Sequence, residues 1–139
     1  MGSYRSEPDV QKHSVQSSFN GIYYASSHMC GNSFSHSGWR KYMEDAAITQ
    51  APFSDKNLAL FGIFDGHGGW SILYLGAEIA IFVERHFCEA LKNNKNFEEE
   101  NYEEALKETF LKMDELIESS DGQKEIAKIQ EEMQAKGNG

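Results

Sequence analysis

The apolar run Leu58-Ala59-Leu60-Phe61-Gly62-Ile63-Phe64 leads straight into Asp65-Gly66-His67-Gly68-Gly69. Ser54-Asp55-Lys56-Asn57 bounds it on one side and Asp65-Gly66 on the other. A short, continuous apolar segment between such breakers predicts a strand buried on both faces. The strand then delivers Asp65 at its tip. Nothing in the polarity of the run calls for a carboxylate there, so Asp65 is a candidate site residue. Beyond Gly69, the residues Ile72, Leu75, Ile79, Phe82 and Val83 keep helical spacing. They predict a well-buried helix that runs to about Leu91 and is ended by Lys92-Asn93-Asn94-Lys95-Asn96.

The rest of the chain is organised around this centre. Residues 1–20 are polar and aperiodic, and read as a flexible or loosely docked arm before a domain over 21–139. Gly21 to Ser27 has the aromatic and β-branched bias of a strand, whereas Cys30 to Gly38 is rich in Gly, Asn and Ser and reads as a loop. Ala46-Ala47-Ile48-Thr49 reads as a further short strand. Glu98-Glu99-Glu100 places acids where they would open a helix, at the positive end of its dipole. The stripe Tyr102, Ala105, Leu106, Thr109, Phe110, Met113, Leu116, Ile117 reads as core packing. Ser119-Ser120-Asp121-Gly122 would break that helix. A last helical segment from about Gln123 to Lys136 carries only Ile126, Ile129 and Met133 as apolar stations, and reads as an exposed helix or a frayed end. Strands come first and helices follow, which is an α+β inventory.

Composition narrows the function classes. The formal net charge of -9 and a sequence pI of about 5.0 argue against nucleic acid, which is bound by clustered Lys and Arg. Cys30 and Cys88 stand far apart, which suits neither a zinc site nor a disulfide framework, and fits reduced thiols in a cytoplasmic protein. The best candidate for a membrane span, Trp70 to Val83, is 14 residues long and contains Glu78, short of the roughly 20 residues a spanning helix needs. The first 20 residues are too polar for a secretory signal. Met1-Gly2-Ser3-Tyr4-Arg5-Ser6 fits the pattern for N-myristoylation at Gly2, and one acyl chain gives reversible membrane association.

The residues around Asp65 suit one kind of chemistry. Gly66, Gly68 and Gly69 let a ligand approach the main chain. The Asp65 carboxylate and the Gly66 carbonyl are hard oxygens of the sort Mg²⁺ and Mn²⁺ take. His67 is of the type that exchanges a proton near neutrality. A tight strand-to-helix turn with a solvent-facing His accounts for the same spacing. The run lacks the Gly-Lys-Ser/Thr ending of a phosphate-binding loop and the Gly spacing of a dinucleotide fingerprint. Upstream, Gly38-Trp39-Arg40-Lys41-Tyr42-Met43-Glu44-Asp45 places Arg40 four residues before Glu44. A guanidinium fork can take a phosphate in two hydrogen bonds, and a surface salt bridge is the plain alternative.

Taken together, Gly-Trp-Arg, then Met-Glu-Asp-Ala, then an apolar strand ending in Asp-Gly-His-Gly-Gly resembles the opening motifs of the type 2C metal-dependent serine/threonine protein phosphatases. The similarity extends from about Tyr23 to about Ile117, with further matches at Asn93-Asn94 and from Thr109 to Asp114. The resemblance implies the N-terminal portion of a four-layer αββα sandwich. It implies two divalent cations, Mn²⁺ or Mg²⁺, with Asp65 bridging them and the Gly66 carbonyl on one of them. Glu44 and Asp45 would hold metal-bound waters, Arg40 would bind the substrate phosphate, and His67 would protonate the leaving Ser or Thr oxygen. Phosphoproteins would be the substrates.

The chain also departs from the family pattern. The family's catalytic domain is substantially longer, and its later Asp ligands and the rest of both sheets have no counterpart here. One directly ligating carboxylate against four positive charges is a poor site, so the isolated chain is expected to be inactive or barely active. Open strand edges invite oligomerisation or strand exchange. His28 to Ser37 reads as an insertion, with His28 and His36 in it, and Ala47 stands where relatives often carry His. A phosphatase half-fold that binds a partner without turnover, a non-catalytic interaction module, is the competing reading.

Overall fold

The computed structural model describes residues 4–9, 13–20, 28–35, 38–40, 44–55, 58–67 and 76–137, with side chains described for Glu7 and for 44–55, 58–67 and 76–135. Among the described residues, six strands precede four helices. The chain divides into two compact units, Met1–Ile63 and Phe64–Gly139. This is α+β content. The described strands pair two by two, and a four-layer sandwich is not among the arrangements they form.

In the first unit, β1 (Tyr4–Asp9) pairs antiparallel with β4 (Gly38–Arg40), with an irregularity between Tyr4 and Asp9. β2 (His13–Asn20) pairs antiparallel with β3 (His28–Ser35) in one unbroken register, from His13 opposite Ser35 to Asn20 opposite His28. Two expectations change here. The polar stretch read as an arm contains two strands, and the Gly/Asn/Ser-rich stretch read as a loop is largely β3. Backbone ladder bonds form without regard to side chains, so a polar, glycine-containing segment pairs wherever a complementary strand lies alongside. The strand expected over Gly21 to Ser27 lies outside the described residues, as does Gly2.

β5 (Asp45–Gln50) and β6 (Leu60–Asp65) make the third pair. In β5, Ala46 and Ile48 are buried, the period-two pattern of a strand with one covered face. The strand at Ala46 to Thr49 is therefore where the sequence put it. β6 corrects its expectation. Phe61 is 43% and Ile63 74% exposed, while Leu60, Gly62 and Phe64 are half-buried. One face of β6 is open rather than both being covered, because an apolar run fixes the tendency to be buried but not the supply of partners.

The second unit is helical. α1 (Ala77–Lys92) buries Ala77, Ala80, Phe82, Val83, Phe87 and Leu91. Its described residues begin at Ala77, and Ile72 and Leu75 of the predicted stripe lie outside the described residues. α2 (Lys95–Glu98) is one turn, capped by the Asn94 side chain, which accepts from Asn96 N at 2.8 Å. Glu98-Glu99-Glu100 therefore ends a helix instead of opening one. Glu100 takes a positive φ of 63° and the chain reverses there. The acids that meet the dipole of α3 (Tyr102–Glu118) are Glu103 and Glu104. Glu108 locks this turn by accepting from Asn94 Nδ2 at 2.9 Å and Asn96 Nδ2 at 2.8 Å. Those two bonds hold its carboxyl below the usual range.

α3 buries Ala105, Thr109 and Met113 of its predicted stripe, and leaves Leu106 and Phe110 exposed. α4 (Ser120–Gly137) is neither exposed nor frayed. Its Ile126 and Ile129 are fully buried on Phe82, with Ile79, Ile81, Leu116, Ile117 and Met133 packed around them. Three apolar stations suffice because they share one face at helical spacing. His86 Nε2 meets Glu125 Oε2 at 2.9 Å, and Arg85 reaches Glu132 at 3.4 Å, at the rim of this contact.

The α3–α4 joint depends on Gly122. Ser119 Oγ donates to Leu116 O at 2.7 Å and accepts from Gly122 N at 3.0 Å. A Cβ on Gly122 would lie 1.9 Å from Leu116 O, so the main chain has to move to admit one. Gly122→Ala is expected to cost about 1–3 kcal/mol, the usual range for overpacking. Urea unfolding followed by helical circular dichroism measures it, and an unchanged midpoint counts against this joint.

Candidate functional site

Asp65 closes β6 and is exposed, Gly66 is buried, and His67 is exposed. The burial of Gly66 between two exposed residues shows that the turn is pressed against something. Among the described residues, Gly76 lies against it. It sits at the N-cap of α1 with φ 101°, and a Cβ built on it would come within 2.7 Å of the His67 carbonyl carbon and 2.8 Å of both the Gly66 carbon and oxygen. Separations under 3.0 Å are not tolerated by real Cβ atoms, and here all three partners are backbone. Gly76 O accepts from Ile79 N at 3.0 Å and Ala80 N at 3.1 Å, which ties it into the first turn of the helix.

A second contact steadies the strand end. Phe64, the residue before Asp65, stacks on Phe87 of α1 with ring centroids 5.4 Å apart, and Phe87 in turn meets Phe110 of α3 at 5.0 Å, edge to face. The Asp65-Gly66-His67 turn thus follows a residue in tilted aromatic contact with α1 and lies against the glycine that begins that helix. The first turn of α1 also contains Glu78, fully buried, at the favourable end of the helix dipole for an acid.

The other sequence-predicted residues lie in the first unit. Arg40 is the last residue of β4, opposite Tyr4. Glu44 is half-buried, and Asp45 is the exposed first residue of β5. Gly68, Gly69 and His36 lie outside the described residues, and His28 opens β3 opposite Asn20. Gly76 is the residue that sequence reasoning missed. A signal for it exists: a glycine immediately before Ala77-Glu78 suits an N-cap followed by a first-turn acid.

The Asp65 carboxylate and Gly66 carbonyl fit a hard divalent cation in kind. In number they make one edge of a site. No group of three His, Cys, Asp or Glu comes together among the described residues. A cavity of about 710 Å³ lies elsewhere, between α1 and α3, lined by residues such as His86, Glu108 and Lys112, and includes none of the predicted site residues. No helix among the described residues is long and apolar enough to cross a membrane.

The family model described as "Protein phosphatase 2C" matches residues 31–134. "Probable protein phosphatase 2C 4" of Paramecium tetraurelia is 45% identical over 129 residues, covering 93% of this chain and 38% of that protein. "Protein phosphatase 2C homolog 2" of Schizosaccharomyces pombe is 35% identical over 119 residues, covering 82% of this chain and 28% of that protein. "Protein phosphatase ppm-1.G" of Caenorhabditis elegans is 30% identical over 139 residues, 25% of its own length. The chain therefore spans less than two fifths of the length of these relatives. No solved structure matches it.

Proposed function

The chain belongs to the protein phosphatase 2C family, and from that membership we propose that it supplies the N-terminal part of the active site of a metal-dependent phosphoserine/phosphothreonine phosphatase. The observation that carries this reading is the Asp65-Gly66-His67 turn, built at the end of β6 with its acid and histidine open to solvent and its glycine buried. Two Mn²⁺ or Mg²⁺ ions, when bound, supply Lewis acidity and make a water nucleophilic near neutral pH.

The chain's own residues have the remaining roles. Asp65 would hold the ions through its carboxylate and Gly66 through its carbonyl. Glu44 and Asp45 would orient water around them. Arg40 donates two parallel hydrogen bonds to the phosphate of the phosphoprotein and stabilises the charge spread over the phosphoryl oxygens. His67 delivers a proton to the departing Ser or Thr oxygen. No step needs a covalent bond to the protein. Gly2 acylation would add a reversible membrane contact.

The test is phosphate release from a phosphopeptide with added Mn²⁺, measured on this chain and on a polypeptide that continues it to the length of its relatives. The longer polypeptide is expected to be active and this chain inactive, since the latter provides one directly ligating carboxylate. Arg40→Ala in the active form is expected to raise KM by roughly tenfold to a hundredfold, the 1.5–3 kcal/mol of a hydrogen bond to a charged group. An unchanged KM removes Arg40 from the phosphate site.

A second reading is favoured by the open face of β6, where Phe61 and Ile63 are exposed. A non-catalytic module could use such a face to bind a partner. The same assay separates the two readings, because the module requires the continued polypeptide to release no phosphate.

A further inference from the structure

Resting on the phosphatase reading above, we propose that Gly76 is a positioning residue of the metal site, setting the direction of the Gly66 carbonyl through direct backbone contact. The bare Cα of Gly76 occupies the space where any other residue would drive a Cβ to 2.8 Å from that carbonyl oxygen. Two demands therefore coincide on one residue. Its φ of 101° disfavours an L side chain, and its surroundings leave no volume for one.

The direction in which the structure would yield is decided by what each partner is attached to. Gly76 is bonded through its carbonyl to Ile79 N and Ala80 N, at the head of the 16-residue α1. That helix is fixed by buried Ala77, Ala80, Phe82 and Phe87. Moving its start disturbs a packed core. The Gly66–His67 peptide lies in a turn whose Asp65 and His67 are exposed, so it is packed less than the helix start. A Cβ at position 76 therefore swings the Gly66 carbonyl rather than the helix. Phe64 on Phe87 keeps Asp65 in place meanwhile. The consequence is selective: the carboxylate stays and the carbonyl turns away, which spoils a geometry that hard octahedral cations hold strictly.

The experiment uses the ¹³C,¹⁵N-labelled chain and Mg²⁺ alone, titrated to tens of millimolar so that a weak site is still seen. The Asp65 carboxyl and Gly66 carbonyl resonances are followed in the unsubstituted chain, in Gly76→Ala, in Gly76→Asn and in Gly122→Ala. Asn tolerates positive φ but brings the same Cβ, so it separates strain from collision. Gly122→Ala loosens the helical unit without touching the turn. Both resonances of the unsubstituted chain are expected to shift along one binding curve. Both position-76 variants are expected to lose roughly tenfold or more in affinity, the scale on which a group that orients a ligand acts. Gly122→Ala is expected to keep the original affinity.

Unchanged affinity in Gly76→Asn overturns the proposal, and so does an equal loss in Gly122→Ala. If Asp65 responds in the unsubstituted chain and Gly66 does not, the metal reading stands and this inference falls. If neither responds, the metal reading falls first and takes the inference with it.

Discussion

Asp65→Ala is expected to remove Mn²⁺-dependent phosphate release from the catalytically competent polypeptide by about a thousandfold or more. A thousandfold is the upper end of what losing one preorganised electrostatic stabiliser costs, about 4 kcal/mol of barrier. The proposed function asks more than that of Asp65, because there it would hold the ions themselves. Its exposure makes the test clean. A surface substitution of this kind changes folding stability by only about 0.5 kcal/mol in either direction. Circular dichroism and the unfolding midpoint are therefore expected to match the parent while the rate collapses. A variant that folds normally and retains its rate would falsify the assignment of Asp65, and with it the proposed site.

Phe82→Ala is expected to have the largest effect on stability, about 3–5 kcal/mol. Phe82 is 2% exposed and forms the centre on which Ile126 and Ile129 close. Removing its ring leaves a cavity between α1 and α4 that two aliphatic side chains on rigid helices cannot refill. Phe110→Ala is the natural control. It is 53% exposed, so its ring is partly in water already, although it also loses the edge contact with Phe87. The expected cost there is about 1 kcal/mol, an aromatic pair without full burial. Urea titration of both variants gives the comparison, and equal costs would mean that α4 is not packed where the structure puts it.

Particular residues show how far the sequence could be read. The apolar run ending at Phe64 announced β6, with Asp65 as its last residue, because strand ends are a local property. The Glu98-Glu99-Glu100 cluster misled, because acids favour the start of a helix only if the backbone is free to begin one there. Glu100 instead takes a left-handed turn, closed by Glu108 holding Asn94 and Asn96 from α3. That tie links residues 12 and 14 positions apart, and no window of local periodicity contains it. β3 was hidden for a similar reason: its side chains are small and polar, and its strand character comes from the partner β2, opposite it from His28 to Ser35.

Gly76 divides the two kinds of information most sharply. Its neighbours Ala77 and Glu78 mark a helix start, and a glycine before them is unsurprising. Its contact is with Gly66, ten positions earlier in the numbering, and is defined by an absent side chain. The order of motifs from Arg40 through Asp65 to His67 pointed to the family that the comparisons show, since residue type and spacing are written along the chain. Which face of β6 is covered, that α4 packs on Phe82, and that Gly76 approaches the Gly66 backbone closely were settled only in three dimensions, because burial and close approach are properties of pairs that the linear order does not join.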